Sequence, residues 1–540
     1  MQRQRLGVIT DGAFNAGLTA RLDPGCSTER LRIGEFVVVE GLENTYFSMI
    51  SDMQLRVVDP TLLADPPRGA SSFVMDSLAG TSTYATVQVK PMLMMPRGSE
   101  FTFLEDLSGP QPVRTIPMHF AVLCEANEAD FGAVFGKEGG KNFAIGTPLT
   151  MDLPVCLQLE RFVERSSGIF GQSGTGKSFL ARILLAGIIH TGAAVNLIFD
   201  MHNEYAFDVQ SEDGAWVRGL RQLFGSRVMV YSLDREAATR PGRSVDAVLR
   251  IGLNQIKSED ILLLSDELDL TSTAGTVVGL LEDRYGDDWL KRLLDMDRAA
   301  LESFCTETGS HQGATEALQR KLREVKRQEY VVEHAPADAI RDMMGALEQG
   351  KHIILQFGRH NRLLDYMLVA NIVSRLVRNS YRAKVDRYEE TKDPADRPRP
   401  LVITIEEAHK FLNPAAARQT TFGVIARELR KFLVTLMIID QRPSGIDPEV
   451  LSQLGTRVSG KLTEENDIEA VLTGVGGRSF LRAALEGLDT KQEVLVMGHA
   501  VPMPIQLKSR RYDEAFYRAV TGGKEPAQGD HKKDITDLWG

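Results

Sequence analysis

The chain is poor in cysteine: Cys26, Cys124, Cys156 and Cys305 are the only four among 540 residues, far apart and without metal-ligand spacing. That excludes a disulfide-stapled secreted scaffold and suits a reducing cytoplasm. No apolar run approaches the ~20 residues that a bilayer-spanning helix needs. The opening segment MQRQRLGVITDGAFNAG lacks the apolar stretch of a signal peptide. An excess of base is missing too: 63 Lys+Arg stand against 73 Asp+Glu, a formal net charge of −10. Taken over the whole chain, such acidity argues against a nucleic-acid partner. Internal repeats and low-complexity tracts are also lacking. What is present is the balance of a globular protein, 43 % hydrophobic and 25 % charged. At roughly 100–200 residues per domain, the length predicts two to four domains.

Residues 1–115 read as a small β-barrel or sandwich. Short alternating runs there, Phe36–Glu40, Tyr84–Lys90 and Phe101–Leu104, are broken by Gly, Pro and Asp clusters. Residues 116–165 continue as connecting strands, with Phe120–Cys124 and Pro154–Leu159 the clearest. From residue 166 the pattern becomes alternating α/β. Apolar β-rich runs at Ser167–Phe170, Ala194–Asp200, Arg227–Tyr231, His352–Phe357, Leu401–Ile405 and Leu433–Ile439 are separated by helical stretches. Such runs predict a parallel sheet covered on both faces, built from residues 166–233 and 351–510. Between 234 and 350 the strand signal vanishes, and Glu259–Leu270 and Ala317–Lys326 show helical spacing, predicting a helical insertion. Asp386–Pro400 is charged and Pro-rich and reads as an exposed loop; residues 511–540 read as a C-terminal tail.

Gly171-Gln172-Ser173-Gly174-Thr175-Gly176-Lys177-Ser178 matches the phosphate-binding loop G-x-x-x-x-G-K-[ST] in full. Glycines let successive backbone N–H groups turn inward around phosphates, Lys177 supplies a point charge, and the Ser178 hydroxyl suits Mg²⁺. A helix follows, its positive N-terminal end facing the same anion. The run Leu401–Ile405 then delivers Glu406, suited to the Mg²⁺ shell, and Glu407, suited to act as general base on an attacking water. Two adjacent acids could also simply open a helix at its favourable end. One strand later, Asp440-Gln441-Arg442-Pro443-Ser444 lies at a sheet edge, where Gln441 could sense a γ-phosphate. Between them, Arg427, Arg430 and Lys431 form either a solvated helix face or an arginine finger reaching a neighbouring subunit, with Arg430 slightly ahead of Arg427.

In this order the motifs GQSGTGKS, FDMHNEY (Phe199–Tyr205), ITIEEAHKF, IARELRKF, DQRPS and VLSQLGTRV (Val450–Val458) resemble those of the HerA-type ATPases, a branch of the FtsK/HerA hexameric DNA translocases. The resemblance implies a RecA-like α/β core, with a HAS-barrel in the N-terminal region and the family's last strands in Glu493–Ile505. It also implies a homohexamer that hydrolyses ATP with Mg²⁺ at subunit interfaces and moves double-stranded DNA through its centre. Partners of such rings are nucleases of the NurA type or effector enzymes of phage defence. An alternative is an ATPase-controlled scaffold that activates a partner enzyme, with the acidic insertion and a tail ending in Trp539 as docking surfaces. Cations on pore loops would contact DNA phosphates. Lys410–Thr421, with Arg418, is either such a loop or ordinary surface, and Arg359 and Arg362 could face nucleotide or pore.

Two departures stand out: Asp200-Met201-His202-Asn203-Glu204-Tyr205 replaces D-P-H-G-E-Y, and Asp440 replaces the Ser before Gln-Arg-Pro. Asp200, His202 and Glu204 could form a metal trio, although a strand edge beside the nucleotide accounts for them equally well. The charge is unevenly spread. Residues 1–150 balance at −5 and residues 234–350 at −8, leaving the motor core at +3. The acidity therefore belongs to the barrel and the insertion, and it does not count against DNA at the core.

Overall fold

Val37, Val39, Tyr46, Ile50, Val87 and Val89 alternate with outward-facing neighbours and pack into one core in the N-terminal region. In the computed structural model, described over residues 3–58, 60, 62, 78, 81–97, 109–210, 214–239, 243–335, 339–360, 362–417, 420–476 and 478–523, that core fills a barrel. Its strands are β1 (Arg5–Ala13), β2 (Gly17–Leu22), β3 (Phe36–Glu40), β4 (Asn44–Val57), β5 (Thr83–Pro96), β6 (Gln111–Pro112) and β7 (Val122–Glu125). The order β2-β1-β7-β3-β4-β5 closes through a β2–β5 pairing, with β6 added on β5. Closure removes the exposed edges of an open sheet. The expected limit at residue 115 is too short, since β7 pairs with both β1 and β3. The expected strand Phe101–Leu104 lies outside the described residues.

The chain divides into two compact units, Met1–Gln158 with Val496–Ser509, and Leu159–Leu495 with Arg510–Gly540. In the first, the helix Glu128–Phe135 covers the barrel face bearing Phe36 and Phe47, with Phe131 5.5 Å from each ring. Its Asn127–Asp130 capping box satisfies its first N–H groups, and Arg3 bridges Asp130 (2.6 Å) and Glu40 (2.5 Å). The hairpin β8 (Asn142–Pro148) and β9 (Val155–Gln158) pairs with Ile505–Ser509 in this unit.

The second unit is an α/β core. Eight parallel strands run in the order Ala247–Val248, Val228–Ser232, His352–Gln356, Val195–Asp200, Leu401–Glu406, Val434–Asp440, Ser167–Phe170 and Thr456–Ser459. Leu401–Glu406 and Val434–Asp440 are buried at every residue, as runs covered on both faces must be. The register places Phe170, which precedes the glycine loop, between Asp440 and Ser459. All six strands expected in the α/β region are present.

Between 234 and 350 the structure is mainly helical, with Ser272–Tyr285, Trp289–Asp295, Arg298–Thr308 and Gln312–Lys326 packed around Val277, Leu281, Leu293, Phe304, Leu318 and Leu322. Strand is not wholly absent. Ala247–Val248 joins the main sheet and Ile251–Gly252 pairs with Val331–Val332, segments too short to show a period. Of Glu259–Leu270, only the start is helical, in Ser258–Leu262. Asp386–Thr391 is helix rather than loop, because Leu363–Thr391 runs on until Lys392 caps it at φ +55, just before Pro394. The expected tail includes a helix, Glu514–Thr521, in contact with the helix Lys177–Thr191, with Val520 O on His190 Nδ1 (2.7 Å). Trp539 lies outside the described residues.

One buried ion pair joins the insertion to the core. Asp260 accepts from Arg375 at 2.6 and 3.2 Å, from Asn371 at 2.7 Å and from the Lys257 N–H at 2.9 Å, and both charges are inaccessible to solvent. Asp260→Ala leaves the buried guanidinium only Gln255 O (2.8 Å) and the exposed Glu259 (3.3 Å), so unfolding free energy should fall by about 3–5 kcal/mol, read from the urea midpoint. An unchanged midpoint would show that the charge is hydrated.

Candidate active site

Phe170 ends its strand, and the loop Gly171–Gly176 turns directly into the helix Lys177–Thr191. Gly174 and Gly176 sit at φ +79° and +86°, conformations that keep the loop's N–H groups inward and that L side chains adopt at a cost. Thr175 Oγ1 donates to Gln172 O (2.7 Å), and Lys177 Nζ donates to the same carbonyl (2.6 Å). Gln172 N–H bonds Lys461 O (3.2 Å) and its side chain donates to Thr463, so the segment after Ser459 braces the loop. Burial holds the Lys177 ammonium below its ordinary pKa, while the charges of Glu407, Asp440 and Glu406 pull it back up. Those three carboxylates are therefore near enough for their charges to act on the loop lysine. Ser178 follows in the first turn, half-buried.

Glu406 is the last residue of its strand and is buried. Its Oε1 accepts from Tyr205 OH (2.8 Å), and its Oε2 has no hydrogen-bond partner. Burial first, then the nearby Asp200, pushes its carboxyl up to about 8, against the lowering effect of the Tyr205 hydrogen bond. Tyr366 OH holds the same residue's backbone, accepting from the Glu406 N–H at 3.1 Å and donating to its carbonyl at 3.2 Å. Glu407 sits at φ +49°, a left-handed conformation unusual for a residue with a long side chain. That twist ends the strand, so the two neighbouring acids do not follow the alternation of an extended chain.

Asp440, at the end of the next strand, organises a small network. It accepts from His409 N–H (2.7 Å), from His409 Nδ1 (3.0 Å) and from Arg442 N–H (2.7 Å). His409 Nδ1 also lies 3.7 Å from Glu407 Oε2. The hydrogen bond that His409 donates to Asp440 is the main reason its pKa is raised above the ordinary 6.5. Cationic His409 therefore adds stability that is full below the ordinary pKa and is lost as pH rises through the raised value. Asp440→Ser should move the His409 titration, followed by NMR, toward 6.5; an unmoved midpoint would assign the raised value to another group.

Some other expected site residues fall less centrally. Gln441 is exposed just past Asp440, and Arg427 lies half-buried on the helix Thr421–Glu428; the Arg430 side chain is outside the described residues. In the expected pore loop, Phe411, Leu412 and Ala417 are buried and Thr420 Oγ1 donates to Phe411 O, leaving Lys410 exposed; Arg418 is not among the described residues. Arg359 pairs with Glu236 and Glu329, and Arg362 with Glu324 (3.0 Å) and Asp365 (3.3 Å). Asp200 accepts from its own loop, Glu204 N–H (2.7 Å) and Tyr205 N–H (3.1 Å), and from Gln356 Nε2 on the neighbouring strand (3.4 Å). Tyr205 and His409 lie within the motifs and Tyr366 outside them, and the contacts of all three are displayed only by the fold.

Residues 143–377 match the protein family described as "Helicase HerA, central domain". Over that segment the chain is similar to the HerA-type ATPases. The DNA double-strand break repair helicase HerA of Saccharolobus solfataricus is 26% identical over 413 residues, spanning 76% of this chain and 75% of that protein. Its counterpart in Pyrococcus furiosus is 24% identical over 431 residues, 75% of each chain. Among solved structures, VirB4 of Thermoanaerobacter pseudethanolicus aligns with 70% of this chain and 99% of its own, with TM-score 0.43 and 15% identity. In this chain the phosphate-binding loop and the paired acids lie at the ends of neighbouring strands of one sheet. Among the described residues, no helix is long and apolar enough to cross a membrane.

Proposed function

We propose that this chain is a HerA-type ATPase and forms a homohexameric ring in the cytoplasm that hydrolyses ATP with Mg²⁺ and moves double-stranded DNA. It would act with a NurA-like nuclease or another effector enzyme, in DNA end processing or anti-phage defence. The observation that carries the reading is the register of adjacent strands, which ends Phe170, Asp440 and Glu406 side by side and so sets the phosphate loop beside the paired acids. A water-activating carboxylate beside a phosphate loop suits hydrolysis. The names of relatives matching about three quarters of the chain add support for DNA as the polymer handled.

Ser178 and the unpartnered Oε2 of Glu406 offer hard oxygen donors, and they fit Mg²⁺. When bound, the ion neutralises charge building on the phosphates. The chain's own residues do the rest. The loop N–H groups and Lys177 hold the β- and γ-phosphates, Glu407 takes a proton from the attacking water, and Gln441 lies where a γ-phosphate contact would form. Arg427 or Arg430 would complete a neighbouring subunit's site, and the mildly basic core would face DNA phosphates.

Titrating linear duplex DNA into an ATPase assay tests the reading, together with particle mass in the presence of nucleotide. Translocation predicts strong stimulation by duplex and a mass six times the 59.8 kDa chain. Stimulation by a partner protein alone would favour the scaffold, and a stable monomer with ATP would sink the interface mechanism.

A further inference from the structure

Glu406 is held at more points than a metal-binding carboxylate needs. Its backbone N–H and C=O are both taken by the Tyr366 hydroxyl, and one side-chain oxygen is taken by Tyr205. Only Oε2 is left, enclosed and without a partner. We propose that Tyr205 is a positioning residue that locks Oε1 of Glu406 onto the protein, so that a divalent cation at the phosphate loop meets a single, pre-aimed oxygen.

Tyr205 is built for this role. Asn203 at φ +57° turns the chain sharply after the strand Val195–Asp200. The Asp200 carboxylate clamps the turn through the Glu204 and Tyr205 N–H groups, and Tyr205 O accepts from Leu220 N–H at 2.8 Å. The phenol is fully buried, with its hydroxyl 2.8 Å from Oε1. A free carboxylate rotates and offers either oxygen or both; fixing one removes that freedom before the cation arrives. Groups that orient metal ligands commonly contribute about 10–100-fold to metal affinity. The loss of Pro and Gly from the D-P-H-G-E-Y pattern therefore leaves intact the part that reaches Glu406, since Asp200 and Tyr205 both remain.

This inference rests on reading Glu406 as the Mg²⁺ ligand, and the experiment separates the two. Binding of a fluorescent ATP analogue is measured in EDTA and across a Mg²⁺ titration for the full-length wild type, Tyr205→Phe, Glu406→Gln and the double variant. Tyr205→Phe should leave affinity in EDTA within about twofold and raise the Mg²⁺ half-saturation about tenfold. In the Glu406→Gln background it should add nothing. Unchanged Mg²⁺ half-saturation in Tyr205→Phe, alongside a shift in Glu406→Gln, overturns the positioning role alone. No shift in Glu406→Gln overturns the ligand assignment and with it the proposal. Should Tyr205→Phe fail to fold, Glu406→Asp tests the same contact, because the shorter side chain keeps its charge but leaves the hydroxyl out of reach. Wild-type Mg²⁺ half-saturation in that variant overturns the proposal, and a rise of about tenfold supports it.

Discussion

Glu407→Gln should lower ATP turnover by about 10²–10⁴-fold while MgATP still binds, the range expected when a positioned general base is lost. The backbone motivates the size of the effect. A glutamate at φ +49° occupies a conformation that costs of order 1–3 kcal/mol, and such outliers persist where the surroundings enforce them. Here the enforcement comes from both sides. Glu406 is pinned by Tyr205 and Tyr366, and His409 is fixed by Asp440 two residues after the twist. Glu407 itself keeps about a third of its side chain exposed at 34 %, which leaves room for a water that the buried Glu406 could not take. Glutamine preserves shape and removes only the basic oxygen, so binding and turnover separate cleanly. Steady-state ATPase rates with a parallel nucleotide-binding titration read both, and turnover within threefold of wild type would reassign the base.

The glycine loop and its helix were legible in the sequence because every part is local. The strand, the turn residues and the lysine lie within a dozen positions, Ser167 to Ser178. The parallel sheet was legible for a different reason. Strands buried on both faces must be largely apolar, and Leu401–Glu406 and Val434–Asp440 are, apart from Thr404, Thr435 and the acid that ends each. What the pattern hides is partnership. Val122–Glu125 looks like a connector until it is seen pairing with Arg5–Ala13 and Phe36–Glu40. Tyr205 and Glu406 are 201 positions apart, and nothing in either segment announces their hydrogen bond. Periodicity reports which face of an element is buried, not what it is buried against. The charged stretch after Asp386 misleads in another way, since a solvated helix and a solvated loop share a composition until a proline ends the helix. Asp440 was visible as a departure from the HerA-type pattern. Its hydrogen bonds from His409 were not.

Lys177→Ala should drive turnover down by at least about 10²–10³-fold, as when one pre-aimed cationic donor is removed, and should weaken nucleotide binding as well. Losing both distinguishes it from Glu407→Gln. The reason lies in the charge balance of the loop. Three carboxylates, Glu407, Asp440 and Glu406, act on one partly buried ammonium, and without it they face an incoming triphosphate uncompensated. The fold has little at stake, because the lysine's own hydrogen bond is to Gln172 O within the loop, and Thr175 Oγ1 already donates to that carbonyl. The thermal midpoint should therefore stay near wild type, and a large drop would mean that the ammonium holds the acidic cluster together. The variant also tests where catalysis is completed. Mixed with an Arg427→Ala protein that binds ATP without hydrolysing it, Lys177→Ala subunits supply intact arginines to intact phosphate loops next door. Turnover recovered on mixing places the finger across a subunit boundary at Arg427. Wild-type turnover in Arg427→Ala alone moves the role to Arg430, three residues further along the chain.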